Sequence, residues 1–201
     1  MFIQVMQGRV ADETRLRAQL ERWLTELAPG AEGWLGGTFG TTDDGTFVGV
    51  VRFASREAAE RNSRRAEQDE WWRETASCFA GDVTFHDCPD ARVLLKGGSD
   101  TAGFVQVIQA RVVDRDRLVA IEEQAAELMA SARPDVIGAT LAIGDDGTVT
   151  ETVAFVSEDA AREAERREPP QQLRALREQE ASAMADVSYL DLHRPWFASA
   201  V

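Results

Sequence analysis

Histidine and cysteine are scarce in this chain, two of each among 201 residues. His86 and His193 are too few and too far apart for a histidine-based metal site, which needs several converging imidazoles. Cys78 and Cys88 lack CxxC spacing, so free reduced thiols are expected. No apolar run approaches the roughly 18 residues of a membrane span. No basic, apolar or small-residue series precedes the strand that opens at Phe2, so the expected location is the cytoplasm. Basic residues are outnumbered 35 to 22, for a net charge of −13. Phosphate backbones and anionic membranes both call for clustered Lys and Arg, so neither is an expected partner. The acidity reads instead as a solubility device. Glycine-rich phosphate loops and serine elbows are also missing. Gly36-Gly37 falls inside a strand and marks a bulge or a close backbone approach, while Gly97-Gly98 falls in a linker. Asp43-Asp44 and Asp145-Asp146 have no further loop ligands and read as turns, not calcium sites. No metal and no cofactor is expected.

What the chain does have is a repeat. Phe2-Ile-Gln-Val-Met-Gln-Gly-Arg-Val10 recurs as Phe104-Val-Gln-Val-Ile-Gln-Ala-Arg-Val112, 102 residues on. Asp43-Asp44-Gly45-Thr46 recurs as Asp145-Asp146-Gly147-Thr148, and Phe53 as Phe155. Asp82-Val83-Thr84-Phe85 matches Asp186-Val187-Ser188-Tyr189 at an offset of 104, so two residues entered between, most simply at Glu168-Pro169-Pro170-Gln171. A period this long is a duplicated domain. The expected division is 1–95, a linker over 96–102 centred on Gly97-Gly98-Ser99, and 103–201.

Each copy reads as β-α-β-β-α-β. Phe2 to Val10 is a strand that is apolar on both faces, hence covered on both. Asp12 caps a helix whose stripe is Leu16, Leu20, Trp23, Leu24 and Leu27, and Pro29-Gly30 ends it. Trp34 to Thr41 and Thr46 to Ala54 form a hairpin around Asp43-Asp44-Gly45, where glycine supplies a positive φ. Ser55 caps a second helix running to about Phe79, and Val83 to Asp87 is the last strand. In the second copy Pro169-Pro170 interrupts the second helix, because proline removes a donor and clashes with the preceding turn.

This order, the repeat length and the strand character resemble the dimeric α/β-barrel superfamily of ferredoxin-like domains. The resemblance implies an α+β fold: two tandem ferredoxin-like repeats packed sheet to sheet as an intramolecular barrel, with the two repeats as each other's partner. Among small members of that superfamily the chain resembles the antibiotic-biosynthesis monooxygenases, through Asn62 followed by Trp71 and Trp72 on the second helix. These side chains are lost in the second copy, as are Arg52 (Ala154) and His86 (Leu190), which points to a site in the first half. The resemblance implies a cofactor-independent oxygenation of an aromatic polyketide or quinol. In that reading Asn62 and Arg52 stabilise an oxyanion and His86 takes the proton. Trp72 belongs to the catalytic set, and Trp71, Gln4 and Phe79 bind the flat substrate.

Each residue also has a structural reading. Trp72, with Ala76 and Phe79 on one stripe, fits a core, leaving Trp71 facing outward. Asn62 fits a half-exposed helix position, Arg52 a solvent-facing sheet edge, and His86 a surface imidazole beside Asp87. Gln4 and Gln7 recur as Gln106 and Gln109, which suits a structural hydrogen-bonding role. Two further functions therefore stand beside the enzyme: a non-catalytic small-molecule-binding or stress-related barrel, and a haem-binding or haem-degrading protein. Against the haem reading, glutamine replaces the expected strand asparagine and the second helix has no histidine.

Overall fold

The computed structural model describes residues 1–97 and 99–199, so Gly98 of the expected linker lies outside the described residues. The first copy runs β1 (Phe2–Arg9), α1 (Glu13–Arg22), β2 (Trp34–Thr41), β3 (Thr46–Phe53), α2 (Arg56–Ser63), α3 (Ala66–Ala76) and β4 (Thr84–Cys88). A strand β5 (Asp90–Leu94) follows. The second copy runs β6 (Phe104–Val112), α4 (Arg115–Ala132), β7 (Val136–Ile143), β8 (Thr148–Phe155), α5 (Glu158–Glu165), α6 (Gln171–Ala183), β9 (Met184–Leu192) and β10 (Trp196–Ser199). All six α-helices and both antiparallel sheets together make an α+β fold.

The duplication extends to atomic detail. Asp12 accepts the Arg15 N–H at 2.9 Å, and Asp114 the Arg117 N–H at 3.1 Å. Ser55 and Ser157 cap α2 and α5 in the same way. These oxygens satisfy donors that a helix start leaves without partners. Phe2 pairs with Phe53 in one sheet and Phe104 with Phe155 in the other, so register is conserved too. Gly45 at φ +84° and Gly147 at φ +81° close equivalent hairpins.

Each sheet carries a fifth strand that the sequence reading lacked. The orders are β10-β2-β3-β1-β4 and β5-β7-β8-β6-β9. The strand that follows the first copy thus pairs in the second sheet, and the strand that ends the second copy pairs in the first. By contacts, one compact unit comprises Met1–Asp90 with the last strand, and the other Ala91–Pro195. Both sheets are open, with β10 and β4 as the edges of one and β5 and β9 as the edges of the other; they are not closed into the expected barrel. Gly36 explains how β10 reaches β2. It sits at φ +129°, after a bulge between Trp34 and Gly36, and a Cβ there would collide with the Ala198 carbonyl oxygen.

On one face of the first sheet, Phe2, Met6, Phe39, Phe47 and Phe53 pack against Leu16, Leu20, Trp23, Leu27 and Trp71. Each side chain buried in this way contributes about 1.5–3 kcal/mol. The alternate residues Ile3, Val5, Val48 and Val50 point to the other face and are buried as well. A wide π-helical turn, Trp23–Leu27, continues α1 and keeps Trp23 and Leu27 on the buried side.

The second helix of the first copy is two helices. The continuous helix expected from Arg56 to Phe79 breaks at Arg64-Arg65, where Arg65 turns extended (φ −73°, ψ 135°). No proline is involved. The break is held by the Arg65 guanidinium, which donates to the Leu27 carbonyl at 2.9 Å and to Asn62 Oδ1 at 3.0 Å. In the second copy α5 ends at the equivalent position, Glu165, and the break before Gln171 contains Pro169 and Pro170. Among the described residues no helix is long and apolar enough to cross a membrane. Cys78 and Cys88 are both buried, and burial pushes the Cys78 thiol up.

Candidate functional site

The break between α2 and α3 creates the site. Asn62 lies in the last turn of α2 and Gln68 in the first of α3, so the break turns their side chains toward each other. Beneath them is a cavity of about 310 Å³ between the first sheet and its helices. Phe39, Val51, Phe53 and Phe85 form its sheet side. Trp23, Trp34, Trp71 and Trp72 form most of the remaining wall.

One corner of this apolar space is polar, and its atoms are ordered by a hydrogen-bond chain. Trp23 Nε1 donates to Gln68 Oε1 at 2.7 Å. An indole nitrogen only donates, so the Gln68 atom facing it is the oxygen. That same oxygen accepts from Asn62 Nδ2 at a long 3.4 Å. A guanidinium also only donates, so the Asn62 atom facing Arg65 is its oxygen. Both amide orientations follow. Asn62 is 6% exposed, its oxygen is engaged, and one of its two N–H groups is engaged. Its second N–H is the donor left for a ligand in the cavity. Among the described residues, Asp69, at the exposed side, is the only ionisable one lining this space.

The structure brings together four of the residues expected from sequence: Asn62, Trp71, Trp72 and Gln4 all line the cavity. Trp71 and Trp72 exchange their expected orientations. Trp71 is 6% exposed and donates from Nε1 to the Gln19 carbonyl at 2.8 Å. Trp72 is half-buried and sits edge-on to Phe85 at 5.1 Å between ring centroids. The stripe Trp72–Ala76–Phe79 does not form, because α3 ends at Ala76. Gln4 donates to Asp87 Oδ1 at 2.9 Å, and Gln106 repeats the bond to Asp191 at 2.8 Å.

Three expected residues are elsewhere. Arg52 alternates with Val51 and Phe53, so it projects from the opposite face of the sheet, where Nη1 donates to Thr38 Oγ1 at 3.2 Å. His86 follows Phe85 on β4 and also faces away from the cavity. Neither lines the cavity with Asn62. Phe79 lies in the core beyond the cavity, 5.8 Å from Phe47 and 6.4 Å from Trp72 between ring centroids. Gln68, Arg65, Trp23 and Trp34 also belong to the site and were not among the residues expected from sequence. The helix break that aims Gln68 and Arg65 contains neither proline nor glycine, and Trp23 and Trp34 share the apolar pattern of ordinary core positions. No histidine lines the cavity, which counts against the haem reading, since haem iron takes an axial side-chain ligand.

Solved structures supply the wider context. The chain is similar to a "putative monooxygenase" of Lactobacillus acidophilus NCFM, at 12% identity and a TM-score of 0.77, over 98% of this chain and 95% of the other. It is similar to a second "putative monooxygenase" from Fusobacterium nucleatum, at 11% identity and a TM-score of 0.75, over 98% and 94%. An anthrone oxidase-like protein follows, at 11% identity and a TM-score of 0.66, over 99% and 91%. The chain has the duplicated ferredoxin-like fold of these proteins. Identities this low carry the fold and no residue roles. No family model matches the chain, and no curated protein matches it.

Proposed function

We propose that the first half binds a flat, oxygen-bearing aromatic molecule such as a polyketide phenol or quinol, and oxygenates it without a metal or flavin. The observation that carries this reading is the cavity of about 310 Å³, whose wall holds four tryptophans and the buried amide of Asn62. Indole faces suit a planar ring system, and the dry surroundings strengthen a hydrogen bond to a developing oxyanion. The names of the structural neighbours point the same way. In this reading Trp72 and Trp71 bracket the ring system. Asn62 Nδ2–H holds the phenolate oxygen, and Asp69 at the cavity mouth accepts the phenolic proton in place of His86. The anion then passes an electron to oxygen, the two radicals combine at carbon, and the resulting peroxide takes the proton back from Asp69 and loses water as the new carbonyl forms.

A second reading is a binding protein without turnover. It is favoured by the placement of Arg52 and His86 across the sheet, which leaves no basic side chain among the described residues lining the cavity. Titration of the full chain with 1,8-dihydroxyanthrone, followed by intrinsic tryptophan fluorescence and by oxygen uptake, tests both. Saturable quenching with uptake that falls at least tenfold in Asn62→Ala supports the enzyme. Quenching without uptake supports the binder. Absence of quenching overturns both.

A further inference from the structure

The second half contains a larger cavity, about 630 Å³, between its own sheet and the helices α4 and α6. Gln106, Ile108, Val153 and Phe155 on its sheet side are the 102-residue counterparts of Gln4, Met6, Val51 and Phe53 in the first half. It therefore occupies the same place in the repeat. Its chemistry is different. Leu20 and Gly49 become Glu122 and Glu151 at the same offset, and Ala76 becomes Glu180 at the offset of 104. In the first half the space over Gly49 is filled by Phe39 and Phe47, whose ring carbons would lie 3.1 Å from an added Cβ. Their counterparts Leu141 and Val149 are smaller, which makes room for the Glu151 side chain.

The three glutamates come from α4, β8 and α6, and their carboxyl oxygens lie within 4.8 Å of one another. Glu122 is only 6% exposed and lines the cavity. The groups that act on it are the other two carboxyls, both by repulsion and Glu180 also through a side-chain hydrogen bond; no basic side chain is among them. Arg177 is the cation that acts on Glu151 and Glu180. The other arginines on the wall are already committed, Arg133 to Asp135 and Arg162 to Asp191, Glu158 and Glu165. Burial and mutual repulsion push Glu122 up to about 10 and Glu151 up to about 8. Three converging acids facing one arginine leave the cavity short of positive charge.

We propose that this second-half cavity binds an organic cation, a primary ammonium on an apolar body, seated among Glu122, Glu151 and Glu180. An ammonium has three N–H donors to match three carboxyl acceptors. The apolar body rests on Ile108, Val153, Phe155 and Met129. A bare divalent ion with its waters fits less well. A water takes roughly 30 Å³, so an ion with a few waters leaves most of the space and the apolar wall unused.

Calorimetric titration of the full chain with naphthalen-1-ylmethylamine, against the neutral naphthalen-1-ylmethanol, tests the proposal. The amine binds at least about tenfold tighter than the alcohol. Both Glu122→Gln and Glu151→Gln weaken the amine by about tenfold or more, and Asn62→Ala leaves it unchanged. Two variants are used so that a folding defect in one does not decide the result, and thermal unfolding is checked for each. Equal affinity for amine and alcohol, no binding of either, or amine affinity unchanged in both folded variants overturns the proposal. So does manganese binding that is lost in Glu122→Gln when the amine does not bind, since the site then belongs to a hard cation.

Discussion

The Trp23 indole and the Gln68 side chain meet at 2.7 Å, joining the π-helical turn after α1 to the start of α3. The bond fixes the ring that walls the first-half cavity and turns the Gln68 oxygen toward Asn62. Replacing Gln68 with Leu removes the acceptor of a buried indole N–H. An unsatisfied buried donor costs about 1–3 kcal/mol, which urea unfolding will read as a lowered midpoint. The same variant frees Asn62 to rotate, so quenching by 1,8-dihydroxyanthrone weakens beyond what the stability loss explains. Gln68→Glu keeps an acceptor for Trp23 and is expected to retain most of the stability.

Arg65 is the second support of Asn62. Its guanidinium bonds the Leu27 carbonyl, the Asn62 oxygen and the Glu67 carboxylate, and its side chain is 19% exposed. Arg65→Met keeps the stem and deletes the donors. Hydrogen bonds from a charged group contribute about 1.5–3 kcal/mol, and a loss of that order is expected in chemical unfolding. Glu67→Gln touches only the exposed ion pair, and its urea midpoint is expected to stay close to that of the parent. Equal effects from the two variants would show that the surface pair, not the bonds to Leu27 and Asn62, holds the helix break.

The repeat made most of the fold legible. Caps at Asp12, Ser55, Asp114 and Ser157 and hairpins at Gly45 and Gly147 lie where residue chemistry places them. What stayed hidden depends on distant contacts. β5 and β10 are short and find their partners in the other copy's sheet, so no local pattern announces the pairing. The break at Arg64-Arg65 is made by a long side chain reaching Leu27, 38 residues away, and not by a breaking residue. For the site, a loss-of-polarity comparison found Asn62 and the tryptophans. It also selected Arg52 and His86, whose strand parity puts them on the wrong face. Glu122 and Glu180 stand on helices rich in Glu and Arg, and nothing local sets these acids apart from solvated charges.

Gly36 offers a test of the strand exchange itself. It combines φ +129° with a close approach to the Ala198 backbone. Gly36→Ala therefore strains β2 and pushes β10 away. The expected cost is about 1–3 kcal/mol in global unfolding. Hydrogen exchange should speed selectively at the amides of Trp196–Ser199. Uniform acceleration across the first sheet would mean that β10 does not separate as a unit.

The acidic cluster of the second half predicts an unusual pH profile. Glu122 is held up at about 10 and Glu151 at about 8, whereas an unfolded glutamate titrates near about 4.3. A raised folded value means that the native state binds protons the unfolded chain releases. The sign follows: stability from these groups is fully present below about pH 4 and is lost as pH rises toward about pH 10. The charged groups facing the cluster are Arg177 and Glu180 on α6, with Arg133, Arg162, Glu165 and Asp191 farther along the same wall. Glu122→Leu restores the residue type of the first half at position 20 and removes a buried acid with no basic partner. It is expected to stabilise the protein by about 1–4 kcal/mol at pH 9 and to flatten the decline between pH 6 and pH 9. Urea unfolding at a series of pH values measures both. A variant that is less stable than the parent at pH 9 would show that Glu122 has a compensating partner, and the argument for a cation-hungry cavity would fall with it.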